Sequence, residues 1–347
     1  MKKALIVNHI GIGNGLMVIP LLKILEQSFP RVKYYYVDNP FLAIKYFKEK
    51  AKIDNLENSF DRSWRSFPKN KWSAIIKFIE ENNIDTIINF RNEGPNYDKN
   101  YFAFKKKYKD RIKCWNLDFD EIFKRKINKN IIDDSLQMLE RLGCDIGKFE
   151  PHWISKKSNN NAPYPKILFY VGSSQKSKRW DSNKWVELSD KICKDQSLIS
   201  LSFIGGVTPE EQKSMSFIVD KVIKRCKNNH ISFSISKDLV KIMHLFSEQD
   251  VIVSNDTFAI HLASALNIPT VGLYFSTDPI IWGSLGDNFY SVESTVKCDG
   301  VKQNIGNCIH FETGCSNLEK IKDSVTVNRV YKIINQIKWR KRISKKS

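Results

Sequence analysis

Short apolar runs alternate with helical patterns in two successive blocks, and this alternation constrains the fold more than any other feature of the sequence. In the first block the run Ala4–Val7 precedes a helical pattern over 16–28, and further strands are predicted over 32–37 and 84–90. In the second block strands are predicted over 167–171, 198–204, 251–254 and 270–275. Strands that alternate with helices indicate parallel sheets covered by helices. The predicted fold class is therefore α/β, with two Rossmann-like parallel-sheet domains facing a cleft.

An Asn- and Pro-rich segment separates the two blocks. Residues 156–165, KKSNNNAPYP, have no apolar periodicity, which is typical of a linker. We therefore predict an N-terminal domain over 1–155 and a C-terminal domain over 166–324, followed by a helix and basic tail over 325–347. The length of 347 residues fits two domains of roughly 150 residues each.

The apolar and cysteine content predicts a cytoplasmic chain. No stretch approaches the ~18 consecutive apolar residues that cross a bilayer, and the segment MKKALIVNHIGIGNG reaches glycines after a few apolar positions. We expect neither a transmembrane nor an exported protein. Seven cysteines without dense spacing fit reduced thiols better than a set of disulfides.

A glycine-rich turn follows the first predicted strand. Glycines at a strand-to-helix turn let phosphates approach backbone amides, and Asp38 ends the second strand where a ribose-binding acid is expected. Gly11, Gly13 and Gly15 are spaced G-x-G-x-G, however, and dinucleotide sites require G-x-G-x-x-G. A nicotinamide-dependent oxidoreductase and a purely structural turn both remain alternatives.

A loop of small polar and basic residues follows the strand over 167–171. Its serines offer hydroxyls and amides to phosphate oxygens, and Lys178 can offset the charge of a leaving group. Lys176 and Arg179 are the other two cations of this cluster. An exposed basic loop without a ligand is the alternative.

A helix start follows the strand over 251–254. Asp256 and Thr257 are predicted to cap a helix, with His261 about one turn inside it. A capping residue is usually only a cap, and a single helical histidine is more often packed than catalytic. The combination with a Pro-bounded strand after the helix favours a site at this position.

Three segments together resemble the ADP-heptose:lipopolysaccharide heptosyltransferases, glycosyltransferase family 9. These segments are GIGNGLMVIP, SSQKSKRWDSNKW and SNDTFAIHLASALNIPTVGLYFSTDP. The resemblance extends over nearly the whole chain and implies a GT-B fold. It also implies inverting transfer of a sugar from a nucleotide donor, held by the C-terminal domain, to an acceptor held by the N-terminal domain.

The resemblance assigns roles to matching residues. Lys178 falls on the lysine near the donor phosphates, Asp256 on the acid that holds the donor sugar, and Thr257 on the start of the phosphate-binding helix. Glu210 or Glu211 matches a ribose-binding glutamate. The full set of expected donor-binding residues is Ser173, Ser174, Gln175, Lys178, Glu210, Asp256, Thr257, Phe258, Ala259 and His261.

Two positions depart from the family pattern. Asn14 stands where the family usually has the aspartate proposed as general base, and an amide orients a hydroxyl without accepting its proton. Phe258 replaces a glycine and is expected to narrow the space beside the donor. We expect Glu93 to act as the general base in place of that aspartate. The expected catalytic residues are Asn14, Glu93, Lys178 and Asp256. The alternative for Glu93 is an ion pair with Arg91.

Asp38 and His9 are weaker candidates for the general base than Glu93.

The acceptor is expected to bind the N-terminal half. The expected acceptor-binding residues are Gly13, Asn14, Gly15, Arg91, Glu93, Lys105, Lys106 and Lys107.

Three late cysteines, Cys298, Cys308 and Cys315, lie near His310 and suggest a metal site. Zinc sites normally contain a close C-x2–4-C pair, which is absent. We therefore expect ordinary thiols, no metal and no cofactor, because lysine and helix amides can neutralise a departing diphosphate.

Positive charge is concentrated in two segments. The 56 basic and 38 acidic residues give a net charge of +18. Lysines and arginines over 105–113 are interleaved with aromatic residues, and a basic tail over 338–346 surrounds Trp339. Such segments suit an anionic membrane surface or an anionic glycolipid acceptor. A solvated lysine-rich face is the alternative. Nucleic acid is not expected, because no recognition module is present.

The leading hypothesis is a bacterial glycosyltransferase at the cytoplasmic face of the inner membrane. It would move a sugar, with ADP-heptose as the expected donor, to the core of lipopolysaccharide or lipooligosaccharide. An oxidoreductase, a nucleic-acid-binding protein and a catalytically silent sugar-nucleotide-binding relative are the alternatives. Asn14 motivates the last of these.

Overall fold

The chain divides into two compact units, Met1–Trp153 and Ile154–Ser347. The structure is a computed structural model, and each unit contains one parallel sheet with helices between its strands. The residues that it describes are 1–7, 12–37, 56–60, 71–90, 106–116, 130–147, 149–155, 164–195, 198–296, 301–302, 307–308 and 315–337. The predicted α/β class with two parallel-sheet units is confirmed.

The first unit contains a five-stranded sheet in the order β3-β2-β1-β4-β5, and all its neighbouring strands are parallel. Its central strand is apolar on both faces and buried after its first residue, as expected for a parallel sheet covered on both sides. The elements are β1 Lys3–Val7, α1 Ile12–Ser28, β2 Lys33–Val37, β3 Leu56–Phe60, α2 Lys71–Glu81, β4 Thr86–Asn89, β5 Lys113–Asn116 and α3 Ile131–Leu142.

Helix α1 begins four residues earlier than the sequence pattern predicts. Gly13 and Gly15 therefore lie in its first turn and not in a loop. Glycine disfavours a helix by about 1 kcal/mol, but the apolar residues Leu16, Leu21 and Leu25 are all buried in the core. Tertiary packing thus extends the helix through the glycines.

The second unit contains a six-stranded parallel sheet in the order β11-β10-β9-β6-β7-β8. Its strands are β6 Lys166–Tyr170, β7 Ser200–Gly205, β8 His230–Ile235, β9 Val251–Asn255, β10 Thr270–Tyr274 and β11 Phe289–Glu293. Its helices are α4 Ser182–Asp195, α5 Pro209–Arg225, α6 Leu239–Ser247, α7 Phe258–Ala265, α8 Pro279–Trp282, α9 Leu318–Ser324 and α10 Val327–Gln336. Two short strands, β12 Val301–Lys302 and β13 Asn307–Cys308, form an antiparallel pair.

Helix α10 is part of the core of the second unit. Val330 and Ile334 on α10 are buried in the same cluster as Phe169 and Phe203 of the sheet. The indole of Trp180 donates to the carbonyl of Val325 (2.9 Å), which fixes the segment before α10 to the loop after β6. The closing helix therefore stabilises the sheet that holds the candidate site.

Each sheet has the strand order of doubly wound nucleotide-binding folds. In each, the first strand of the unit lies between the second and the fourth, so the chain reverses direction across the sheet at that point. The loops after β6 and β9 consequently meet at one edge of the second sheet. Ligands of such folds bind at this position.

The predicted linker falls largely outside the described residues. Tyr164 and Pro165, its last two residues, are described and belong to the second unit: the Tyr164 ring stacks on His230 (4.7 Å between centroids), and the Pro165 carbonyl accepts from the Ser200 amide. In the part of the chain that the structure describes, no helix is long and apolar enough to span a bilayer.

Candidate functional site

The candidate site lies at the carboxyl edge of the second sheet. Asn255, the last residue of β9, ties the two loops of this edge together. Its Nδ2 donates to the Val171 carbonyl (2.9 Å), and its Oδ1 accepts from the Trp180 amide (3.1 Å). Asn255 is fully buried, so both ends of the loop 172–180 are fixed against β9.

An ion pair joins two residues that the sequence nominated separately. Lys178 Nζ lies 2.6 Å from Asp256 Oδ2, and the two side chains are 20% and 7% exposed. The hydroxyl of Thr277 donates to the same carboxylate oxygen. An ion pair shielded in this way is electrostatically stronger than one at the surface. The three residues follow β6, β9 and β10, so adjacent strands of one sheet bring them together.

His261 lies one turn into α7 and is neutral at pH 7. Its pKa is lowered to about 4: burial is the main cause, the carboxylate of Asp256 opposes it, and the charge of Lys178 adds to it. A neutral imidazole beside the ion pair adds a hydrogen-bonding group without adding charge.

Thr257 caps α7, as the sequence predicts, but the predicted capping role of Asp256 is wrong, because its carboxylate accepts from Lys178 and Thr277. The Thr257 Oγ1 accepts from the Ala259 amide (3.3 Å).

The ring of Phe258 packs against the edge of Tyr170, with 5.3 Å between centroids. Phe258 is half-buried, so part of its side chain packs on Tyr170 and does not face solvent.

The first serine of the loop after β6 uses its amide and its hydroxyl in hydrogen bonds within the protein. Ser173 is 5% exposed, and its amide donates to Glu211 Oε1 (2.8 Å). Its hydroxyl donates to the Gln175 carbonyl (3.1 Å). Ser174 is exposed, and Gln175 is half-buried. Of these three expected donor ligands, the most accessible is therefore Ser174.

The structure separates the roles of the two glutamates that the sequence left open. Glu211 is buried, and its Oε2 accepts from the amide (3.3 Å) and hydroxyl (2.8 Å) of Thr208 in a capping box. Glu210 is 77% exposed on its side chain and pairs with Arg179 (3.2 Å). Glu210 is thus the glutamate that a ligand can reach.

The three cations of the loop do not act as one cluster. Lys178 pairs with Asp256, and Arg179 donates from Nε to the Ser173 carbonyl (2.7 Å) and from Nη1 to Glu210. Lys176 is exposed. One cation therefore belongs to the buried site, one holds the loop, and one faces solvent.

The expected acceptor residues are described only in part. Gly13, Asn14 and Gly15 lie in the first turn of α1. Lys106 and Lys107 are exposed, and Lys107 Nζ lies 4.9 Å from the centre of the Tyr108 ring. Tyr108 is buried and donates to Glu80 (2.7 Å), so this aromatic residue of the basic segment serves the core. The residues that lie outside the described part of the chain are His9, Asp38, Arg91, Glu93 and Lys105.

Two residues of the site had no assigned role in the sequence analysis. Asn255 and Thr277 occur in the motif segments, but only the fold shows that one fixes the loop and the other contacts Asp256. Their position directly after apolar strands was the available signal. Buried hydroxyls of Ser177, Tyr274 and Ser276 in the same segments have no partner among the described residues.

The cysteines differ from the expectation in one respect. A disulfide joins Cys193 on α4 to Cys226 at the end of α5, with 5.7 Å between the Cα atoms. The expectation that all cysteines are thiols is therefore wrong for this pair, because the packing of α4 on α5 brings together residues 33 positions apart. No metal-binding group of three occurs among the described residues, and Cys298 and His310 lie outside them.

The comparisons with known proteins identify the part of the chain that contains this site. Residues 147–307 match the model of glycosyltransferase family 9 (heptosyltransferase). The matched range includes the ion pair, the loop after β6 and helix α7. The family resemblance found in the sequence is confirmed over this range.

Solved structures are similar to this chain in fold over nearly its whole length, beyond the range of the family match. A glycosyl transferase of family 9 from Veillonella parvula has 18% identity and a TM-score of 0.65, over 94% of this chain and 98% of that chain. The E. coli heptosyltransferase WaaC, solved with ADP, has 16% identity and a TM-score of 0.62 over 96% and 99%. E. coli ADP-heptose lps heptosyltransferase II has 13% identity and a TM-score of 0.64 over 97% and 98%. No curated protein matches the sequence.

Proposed function

We propose that this protein is a glycosyltransferase that transfers a heptose from ADP-heptose, with inversion, to the core of lipopolysaccharide or lipooligosaccharide. The observation that supports this most is the shielded pair of Lys178 and Asp256 beside the start of α7. A cation suits the diphosphate of a sugar nucleotide, and a carboxylate suits the hydroxyls of its sugar. The pair thus offers one group for each end of the bond that breaks.

The identity of the donor rests on the similar structures. WaaC was solved with ADP and with ADP-2-deoxy-2-fluoro heptose. The sequence identity to WaaC is 16%, so the sugar and the nucleotide are proposals for this chain.

We assign the donor contacts from the geometry of the site. Lys178 and the amides at the start of α7 bind the diphosphate, and Asp256 binds sugar hydroxyls. Glu210 binds the ribose, because it is exposed and Glu211 uses both oxygens within the protein. Ser174, Gln175 and His261 complete the pocket.

The transfer forms one bond and breaks one. The acceptor oxygen attacks the anomeric carbon from the face opposite the nucleotide, and the bond from that carbon to the phosphate oxygen breaks. The nucleoside diphosphate leaves with the electron pair, while the acceptor proton passes to a base. We propose Glu93 as that base, with Asn14 orienting the hydroxyl. Lys178 and the helix amides offset the charge of the leaving group, so no metal is required.

The acceptor and the location follow from charge. Exposed Lys106 and Lys107 are proposed to bind anionic groups of the acceptor, together with Lys105 and Arg91. The basic tail over 338–346 is proposed to hold the enzyme at the cytoplasmic face of the inner membrane.

The test is a transfer assay on truncated core acceptors, with ADP-heptose as donor and the product measured by mass. We expect a mass gain of one heptose with the wild type and a loss of at least a hundredfold in rate for Lys178→Met. UDP- and GDP-sugars are tested in parallel. Transfer from one of these alone would replace ADP-heptose, and no transfer from any donor would contradict the proposal.

A silent relative is the second candidate, because Asn14 replaces the usual base. The two candidates are separated by comparing binding with transfer. Calorimetric binding of ADP-heptose without turnover on any core acceptor supports the silent relative. A Glu93→Gln variant that keeps full turnover would show that Glu93 is not the base.

A further inference from the structure

The carboxylate of Asp256 receives its two side-chain hydrogen bonds on the same oxygen. Lys178 Nζ and the Thr277 hydroxyl both donate to Oδ2. Among the residues that the structure describes, none donates a hydrogen bond to Oδ1. The carboxylate is therefore asymmetric: the protein holds one oxygen, and the other has no side-chain donor among the described residues.

Thr277 reaches Asp256 from a third segment of the fold. It follows β10, whereas Asp256 follows β9, and the Asp256 amide donates to the Leu273 carbonyl (3.1 Å). The segment that contains Thr277 is fixed in turn, because the side chain of Asp278 caps α8 by accepting from the Ile280 amide (2.8 Å). A β-branched residue with few rotamers in a capped segment holds its hydroxyl in a defined direction.

Lys178 does not provide the same constraint. Its side chain is long, and a bound diphosphate would compete with Asp256 for its ammonium group. When Lys178 turns to the phosphates, Thr277 is the remaining described donor on Oδ2. The orientation of Asp256 in the loaded enzyme then depends on the threonine.

We propose that Thr277 is a positioning residue that fixes the Asp256 carboxylate so that Oδ1 accepts a hydroxyl of the donor sugar. This inference rests on the proposed role of Asp256 in sugar binding. Thr277 acts through Asp256 and does not touch the reacting atoms. It should therefore affect recognition of the sugar and not of the nucleotide.

The test compares Thr277→Val, which removes the donor and keeps the shape, with Thr277→Ser, which keeps the donor. Binding of ADP-heptose and of ADP is measured by calorimetry for each variant and the wild type. We expect Thr277→Val to weaken ADP-heptose binding about tenfold, or about 1.4 kcal/mol, because the hydrogen bond to the charged carboxylate is lost. ADP binding should change less than about twofold in both variants, and Thr277→Ser should retain most of the ADP-heptose affinity.

Several results would overturn the inference. These are unchanged ADP-heptose binding in Thr277→Val, equal losses for ADP and ADP-heptose, or equal losses in the serine and valine variants. Thr277→Ala serves as a second donorless variant if the valine variant does not fold.

A ligand-free measurement keeps this test separate from the proposed donor. Crystal structures are determined with each Thr277 substitution combined with Lys178→Met, which removes the other described donor on Oδ2. They should show a rotated or disordered Asp256 carboxylate with Thr277→Val and the wild-type orientation with Thr277→Ser. An unchanged carboxylate with Thr277→Val in this background refutes the positioning role whatever the donor is. If the wild type does not bind ADP-heptose but the carboxylate rotates, only the proposed donor fails.

Discussion

Lys178 and Asp256 are 78 positions apart, and each compensates the charge of the other. The pair is mostly shielded from solvent, so each charge would be costly alone. At the residue scale this pair is the main electrostatic feature of the candidate site.

Removing one member of the pair should destabilise the fold. We expect Lys178→Met to lower the free energy of unfolding by about 2 kcal/mol, below the usual cost of a fully buried charge because Lys178 is partly exposed. The double variant Lys178→Met with Asp256→Asn should recover about half of this loss. Urea denaturation of the four proteins measures the coupling energy. Additive effects of the two substitutions would show that the ion pair does not contribute to stability.

The neutral state of His261 predicts a pH dependence of stability. Its folded pKa of about 4 lies below the unfolded value of 6.5, so between these values the unfolded state binds more protons. The free energy of unfolding should therefore rise with pH through this window, by up to about 3 kcal/mol, and His261 should add no slope above pH 6.5. Denaturation of the wild type and His261→Gln at pH 4.5, 5.5 and 7.5 tests this. Identical profiles for the two proteins would contradict the prediction.

At the element scale, the start of α5 is linked to the loop after β6. Glu211 receives hydrogen bonds from Thr208 in its own helix and from Ser173 in the loop. A side chain at Gly206 would lie 2.1 Å from the Glu211 carboxylate, so glycine is required there. One buried glutamate therefore joins two segments of the candidate donor site.

The two adjacent glutamates should respond differently to the same substitution. We expect Glu211→Gln to destabilise the protein by about 2 kcal/mol, because its NH2 group would replace an accepting oxygen and face the N–H donor of Ser173 or Thr208. Glu210→Gln, the matched control, should change stability by less than about 0.5 kcal/mol, since surface ion pairs contribute little. Thermal unfolding measures both effects, and ADP binding should fall in Glu210→Gln. Equal stability losses in the two variants would exclude the separation of roles.

At the scale of the whole molecule, the net charge of +18 is distributed over both units. Lysines of the first unit are exposed at 106, 107, 109 and 113. The charge at the candidate donor site is instead compensated by Asp256 and Glu210. Donor and acceptor binding should therefore depend differently on ionic strength.

Raised salt is expected to weaken acceptor and membrane binding before donor binding. The Debye length falls from about 10 Å at 0.1 M to about 3 Å at 1 M, which screens exposed charges far more than a shielded pair. Binding to anionic vesicles and to ADP is measured between 0.05 and about 0.5 M salt. Replacing the six cations of the tail would leave 18 − 6 = +12, so vesicle binding should weaken but acceptor use should persist. Equal salt sensitivity of the two ligands would argue against this division.

The edges of the sheets were less predictable than their centres. Strands β1, β9 and β10 are central and buried on both faces, so their apolar runs were found in the sequence. Strand β8 lies at an edge with Phe233 60% exposed, and its mixed sequence HISFSI resembles a loop. An edge strand such as β8 forms because its neighbour β7 offers it backbone hydrogen bonds. The local sequence does not show that such a neighbour is present.

The sequence by itself determined the α/β class, the strand-loop-helix units and the residue types of the candidate site. These depend on local periodicity and on which residues follow each strand, and both can be read directly from the order of the amino acids. The tertiary structure alone decided that Lys178, Asp256 and Thr277 share one carboxylate oxygen and that Glu211 is structural while Glu210 is accessible. It also decided the pairing of Cys193 with Cys226. The reason is that strand order, not distance along the chain, brings these residues together.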